Sequence, residues 1–240
     1  MLQTRSLFPP LYSADIRLTG DAFAEAVRAA ESGADPATLV WIDRPDRLDC
    51  AVVAHPDRPL AAALQVVYVA AIAVREAAGG LGPPEKPIHF AWPDQVLLDG
   101  GLIGGVRVAA GPGDLPDWLV VGVSIDIEGD LHGLDPGLRP DRTSLHEEGF
   151  GEVTAPEFAE DFARYFLLWT DRWLEEGTEP VHREWTARGP ARGSAVAGKA
   201  ARHRWQGAFE GLAPSDGALR LASGSSVALE VCLEGPSWAL

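Results

Sequence analysis

The residues with the most chemical potential in this chain are arginines rather than the usual nucleophiles or metal ligands. Asp43-Arg44-Pro45-Asp46-Arg47-Leu48-Asp49 sets two guanidinium groups in a polar loop. Arg44 and Arg47 can hold a phosphate or carboxylate through paired hydrogen bonds, or simply pair with the neighbouring aspartates on a solvated loop. Only two lysines are present, Lys86 and Lys199, and only two cysteines, Cys50 and Cys232. Two distant cysteines make neither a disulfide framework nor a zinc site, and Cys50 in an apolar strand reads as structural. Asp126-Ile127-Glu128-Gly129-Asp130 spaces its acids like a calcium loop. It lacks the glycine (Leu131) and the closing glutamate (Gly137) that such a loop needs. His146-Glu147-Glu148 lacks the second histidine of a zinc helix, and Gly100 to Gly105 is followed by no Gly-Lys-Ser/Thr, so neither a metal site nor a phosphate loop is expected. A basic strip, Arg183 to Arg204, stands out locally and fits a basic linker by default, or a surface for an acidic partner or ATP phosphates.

These groups need a scaffold. Asp21 to Glu31 spaces Phe23, Val27 and Ala30 on one helical face before Gly33. Thr38 to Ile42 and Cys50 to Ala54 read as strands. Leu60 to Ala78 reads as a buried helix, its apolar run being short of the roughly 20 residues of a membrane span. Ile88 to Ala91 and Gln95 to Leu98 read as strands. Asp99-Gly100-Gly101 is a hairpin turn signal, with a return strand over Ile103 to Ala109. Trp118 to Ile127 reads as a central strand, and Asp130 to Asp141 as a loop rich in glycine and proline. Thr154-Ala155-Pro156-Glu157 is a capping box opening a helix whose buried stripe is Phe158, Phe162, Tyr165, Phe166, Trp169 and Trp173. A shorter helix is expected over Pro180 to Ala187, then a linker at 189–198 and short β segments to the end.

The hairpin Ala91-Trp92-Pro93-Asp94-Gln95 … Asp99-Gly100-Gly101-Leu102-Ile103-Gly104-Gly105 resembles the signature hairpin of the biotin/lipoate A/B protein ligase family, Lys-Trp-Pro-Asn-Asp followed by a turn and Lys-x-x-Gly. Trp92, Pro93, the Asp99-Gly100 turn and Gly105 match. In the same order, Leu119 to Ile125 resembles the family's Val-x-Gly-x-Gly-Ile-Asn strand. Thr143 to Gly149 precedes the capped helix as in the family, Trp185 matches a tryptophan near the end of its catalytic domain, and Gly207 to Leu221 resembles its SH3-like strands. The resemblance implies an α+β fold: a mixed β-sheet flanked by helices, packed on one side, plus a small SH3-like β-domain. It divides the chain into a ligase-like domain (1–188), a linker (189–198) and a small β-domain (199–240).

The resemblance also implies a ligand site at Arg44, Arg47, Trp92, Asp94, Leu102, Gly104 and Gly105, taking ATP with Mg and biotin or lipoate. The departures fall on the chemistry. Where the family places the lysine that stabilises charge during adenylation, this chain has Leu102, a loss worth about 10²–10³ in rate. Asp94-Gln95 replaces Asn-Asp, and the Arg44–Arg47 loop lacks the glycines that let a backbone wrap a phosphate. No cysteine occupies the nucleophile position of the acyltransferases of this fold. The expected activity is a divergent ligase or acyltransferase acting on a carboxylic-acid cofactor and a carrier protein; the alternative is a non-catalytic member that binds an acyl ligand or a carrier domain.

The 240 residues suffice for one sizeable core and a small extra domain. The net charge of -15 speaks against nucleic acid, and no N-terminal DNA-binding segment is expected. A cytoplasmic protein without membrane association is expected, with a homodimer as one possible assembly.

Overall fold

The computed structural model describes residues 7–83, 85–129 and 141–239. The sequence-read loop Asp130 to Asp141 falls almost wholly outside them. Eleven strands and five α-helices are built from the described residues. Strands β1 (Ser13–Arg17), β2 (Thr38–Ile42), β3 (Arg47–Ala54), β4 (Ile88–Ala91), β5 (Gln95–Leu98), β6 (Gly101–Ala110) and β7 (Leu119–Asp126) form one sheet in the order β1-β2-β3-β7-β6-β5-β4. The β1–β2 pair is parallel and the rest antiparallel, so the sheet is mixed, as read from the sequence. β7, with every residue but Asp126 buried, lies at its centre.

Helices cover both faces of this sheet, which corrects the one-sided packing expected. In β2, β3 and β7 both alternating sets of residues are apolar. Leu39, Trp41, Cys50, Val52 and Val121 join the main core, whereas Val40, Ile42, Ala51, Val53 and Val120 form a second cluster. A sheet apolar on both sides must be covered on both. The second cluster is capped by α1 (Ala22–Glu31), whose buried stripe is Ala22, Ala26 and Ala30 with Phe23 and Val27 packed at its margins. Its small side chains let the helix lie close to β3 and β7.

The main core is covered by α3 (Val66–Leu81) and α4 (Ala155–Glu176), with α5 (Thr178–Arg188) beside them. The apolar run starting at Leu60 breaks into α2 (Leu60–Ala63) and α3 around Gln65. Gln65 is itself buried, and its Nε2 donates to Ser215 O at 3.1 Å. The stretch Leu60–Leu81 is long and apolar enough to cross a membrane, but here it is largely buried within the fold. The Thr154 capping box forms as read: its side chain accepts from the Glu157 amide while Glu157 reaches back to the cap. Phe158, Phe162, Phe166, Trp169 and Trp173 are buried, and Tyr165 packs at the edge.

A second, antiparallel sheet follows, formed by β8 (Ala195–Ala200), β9 (His203–Leu212), β10 (Leu219–Leu221) and β11 (Ser226–Val227). Residues 195–198, read from sequence as the end of a linker, are the first part of β8. A 3₁₀ turn, Leu229–Glu234, leads the chain back to β6.

Candidate functional site

The β2–β3 connection is tighter than the loop read from the sequence. β3 begins at Arg47, because Arg47, Leu48 and Asp49 pair in register with Asp126, Ile125 and Ser124 of β7. Only Asp43 to Asp46 remain as the turn. This ladder fixes the arginines over one end of the sheet. Arg44 donates from Nε and Nη2 to the two carboxylate oxygens of Asp46, at 2.7 and 2.6 Å. Arg47 Nε donates to Asp126 Oδ1 at 2.9 Å.

A third guanidinium, not singled out in the sequence, joins them. Arg107 of β6 donates two bonds, of 2.9 and 2.8 Å, to Asp21, the N-cap of α1. It also stacks over Phe23 at 4.6 Å and lies 3.9 Å from Asp49. The available signal was a charged residue in an otherwise apolar strand, Gly105-Val106-Arg107-Val108. Such a residue needs a partner on the face it points to.

Arg44, Arg47 and Arg107, with Gly20, Asp21, Asp49, Ser124, Pro236, Trp238 and Ala239, line a cavity of about 260 Å³. Its electrostatics are mixed. Burial pushes the Asp49 carboxyl up, against the Ala22 amide and Arg107, which favour its charged form. Burial likewise raises Asp126, with Arg47 opposing. At Asp21 burial is outweighed by the Arg107 and Ala24 hydrogen bonds, which hold its carboxyl below the usual range. The hydrogen bonds from Arg44 keep Asp46 low as well. Every guanidinium at the cavity is therefore already engaged by a carboxylate of the chain, and an incoming anion must displace one. A larger cavity, about 360 Å³ and predominantly apolar, lies under α4 near Phe166 and Trp173, away from these groups.

The hairpin residues separate into distinct roles. Gly104 and Gly105 are the Cα partners of Ile125 and Ser124 on β7. Gly105 lies against the cavity wall: a methyl group placed on it falls 2.4 Å from Trp238 Nε1 and 2.2 Å from Asp94 O. Asp94 is buried and accepts hydrogen bonds from the Ser237 amide, at 3.0 Å, and from the Ser237 hydroxyl.

Trp92, joined to Pro93 by a cis bond, lies outside the cavity lining. Its indole N–H donates to Tyr68 Oη at 2.8 Å, and its ring meets Trp205 of the second sheet edge-on at 4.9 Å. Leu102 is half-buried; its amide donates to Asp141 O and its carbonyl accepts from the Thr143 amide. It too lies outside the cavity lining. Lys86 is held by Asp99 and Glu148, each at 2.7 Å, which raises its pKa. Burial pushes the thiols of Cys50 and Cys232 up, so both stay protonated at neutral pH and neither is a ready nucleophile.

Burial raises the Asp94 carboxyl to about 6, with the Ser237 hydrogen bonds opposing. The folded chain then holds a proton that the unfolded chain releases near pH 4, so stability falls as pH rises from about 4 to 6. Asp94→Asn is expected to flatten that slope, by up to roughly 3 kcal/mol across the window. Urea midpoints of both chains at pH 4, 5, 6 and 7 measure it; parallel profiles would mean that Asp94 ionises normally.

The biotin/lipoate A/B protein ligase family model matches residues 8–187. A biotin–[acetyl-CoA-carboxylase] ligase of Paracoccus denitrificans is 29% identical over 184 residues, spanning 75% of this chain and 76% of that protein. A crystal structure of a biotin protein ligase-like protein of unknown function from a Silicibacter species superposes with a TM-score of 0.83 at 33% identity, covering 94% of this chain and 98% of that one. The biotin protein ligase of Aquifex aeolicus in complex with biotin and ATP shares the fold, with a TM-score of 0.69 at 17% identity over 90% of this chain and 95% of that one.

Proposed function

The chain belongs to the biotin/lipoate A/B protein ligase family, and from that premise we propose that it binds a biotin- or lipoate-like carboxylic acid at the Arg44–Arg47–Arg107 cavity without activating it as an adenylate. The observation that carries this reading is the absence of any lysine there. Both lysines of the sequence are placed elsewhere: Lys86 is tied to Asp99 and Glu148, and Lys199 stands exposed on β8. Leu102 occupies the matching position on the return strand and offers no positive charge to a developing oxyanion.

Charge balance points the same way. A single carboxylate that displaces Asp46 from Arg44, or Asp21 from Arg107, adds one negative charge to the site. A triphosphate brings several negative charges to a cavity edged by Asp21, Asp46, Asp49 and Asp126. By charge alone, the residues present therefore fit an acid better than they fit metal-free ATP.

A second reading keeps the catalytic activity: ligation of the acid to a carrier protein using ATP. It is supported by the Paracoccus denitrificans relative, described as a ligase for a carboxylase. One pair of measurements separates the two. Thermal unfolding is followed with biotin, lipoate and octanoate, each alone and with Mg-ATP, and acid-dependent ATP–pyrophosphate exchange is assayed alongside. At 100 times its dissociation constant a bound acid adds about 2.7 kcal/mol of stability. The expected result is a shift with one acid that ATP leaves unchanged, and no exchange. Exchange that depends on the acid would establish the ligase; no shift with any of the three acids would refute the proposed ligand class.

A further inference from the structure

One side of the cavity is walled by a returning piece of this chain. After the 3₁₀ turn, Gly235 (φ +127) redirects the backbone, and the next four residues run across the hairpin onto β6. Trp238 is buried, only 9% exposed, and its indole N–H donates to the Val106 carbonyl at 3.2 Å. Its ring lies against Gly105, where no side chain fits. Ser237 is gripped from two sides. Asp94 accepts from its amide and hydroxyl, while Gln95 Nε2 donates to its carbonyl at 3.2 Å and to its hydroxyl at 3.0 Å. Arg142 donates to the Ala239 carbonyl. Asp94, Gln95 and Gly105, all on the hairpin that carries the family signature, are thus used to hold a peptide.

We propose that the segment Gly235–Ala239 is a built-in occupant of the ligand cavity, a strap that must leave Gly105 and Asp94 before an acid reaches the floor formed by β6 and β7. This rests on the reading of the cavity as an acid site. Three features support it. The grip is specific, since side chains of the hairpin read both the backbone and the hydroxyl of Ser237. It is also confined to a few residues after one glycine that has open space around it, so release requires no rearrangement of either sheet. And Pro236, Trp238 and Ala239 line the same cavity as the three arginines, so departure of the strap would extend that cavity onto Gly105 and Asp94.

Backbone hydrogen–deuterium exchange on the unaltered chain reads the strap directly. The expected result is that the Ser237 amide, protected by Asp94 in the free protein, exchanges at least tenfold faster at saturating acid, while Val121 and Val123 of β7 are unchanged. Trp238→Ala and Ser237→Ala, in the full chain, are expected to tighten acid binding at least tenfold, because less must be displaced. Ser237 remaining protected at saturating acid, or either variant binding acid more weakly, would overturn the proposal and make Trp238 a wall of the site. If no acid binds any of these chains, the acid reading fails by itself. A synthetic peptide of residues 235–240 then decides the strap on Trp238→Ala: saturable binding, lost when Ser237 of the peptide is replaced by alanine, supports an occupant site, and no binding refutes it.

Discussion

Gly104→Ala is expected to cost this protein more than about 4 kcal/mol, among the largest effects a single methyl group produces. Gly104 has φ +142, a backbone conformation that side chains rarely adopt. A methyl group there falls 1.9 Å from the Ser124 carbonyl oxygen and 3.0 Å from Ile125 Cα, both backbone atoms of central strand β7. Neither can swing aside as a flexible side chain would. The position arises from a bulge: Gly104 pairs with Val96 and Leu102 with Leu97, leaving Ile103 as an extra residue in β6. Removing the strain would mean parting β6 from β7, the pair that brings Arg107 to the arginine cavity. Denaturant unfolding of the two chains measures the loss, and a cost below about 1 kcal/mol would show that the bulge can be rebuilt without the glycine.

Trp92→Ala should follow, with a loss of about 3–5 kcal/mol. The indole is 4% exposed, packs edge-on against Trp205, and donates to Tyr68 Oη, which in turn donates to the Gly217 carbonyl. One side chain therefore joins the signature hairpin, the buried helix α3 and the second sheet. Trp92→Phe keeps most of the apolar contact and removes the N–H, so it should cost about 1 kcal/mol for the hydrogen bond beyond any packing change. Urea unfolding of the three chains checks the ranking. Equal losses for Ala and Phe would assign the effect to the hydrogen bond instead of the packing. The role is mechanical, and acid affinity should change little in Trp92→Phe.

Much of the fold was legible because its signals are local. The capping box of α4, the aromatic stripe behind it and the two-residue turn at Asp99-Gly100 depend on residues three or four apart, and each forms where the spacing places it. The hairpin and the order of motifs after it led to the family, and the family model and the shared architecture bear that out. Misread features had non-local causes. β3 starts three residues early because Arg47, Leu48 and Asp49 find register partners on β7, more than 70 residues away. α1 lies on the opposite face from α3 and α4 because β2, β3 and β7 are apolar on both sides; the continuous apolar runs show that both faces are buried, but not which helix covers which.

The candidate site divides along the same line. By itself the sequence determined that Arg44 and Arg47 stand three positions apart just after the strand Thr38 to Ile42, that lysine occurs only at 86 and 199, and, through the family resemblance, that Leu102 falls where a lysine is expected. Those are statements about residue type and position, and folding cannot alter them. Only the tertiary structure decided what surrounds the arginines. Inserting β7 between β3 and β6 sets Arg47 against Asp126 and brings Arg107 within reach of Asp21 and Asp49. The return of the chain after Glu234 places Trp238 over Gly105. Strand order and chain return are long-range choices, fixed by the burial of whole faces and by pairing between distant segments, and neither leaves a periodic mark in the sequence.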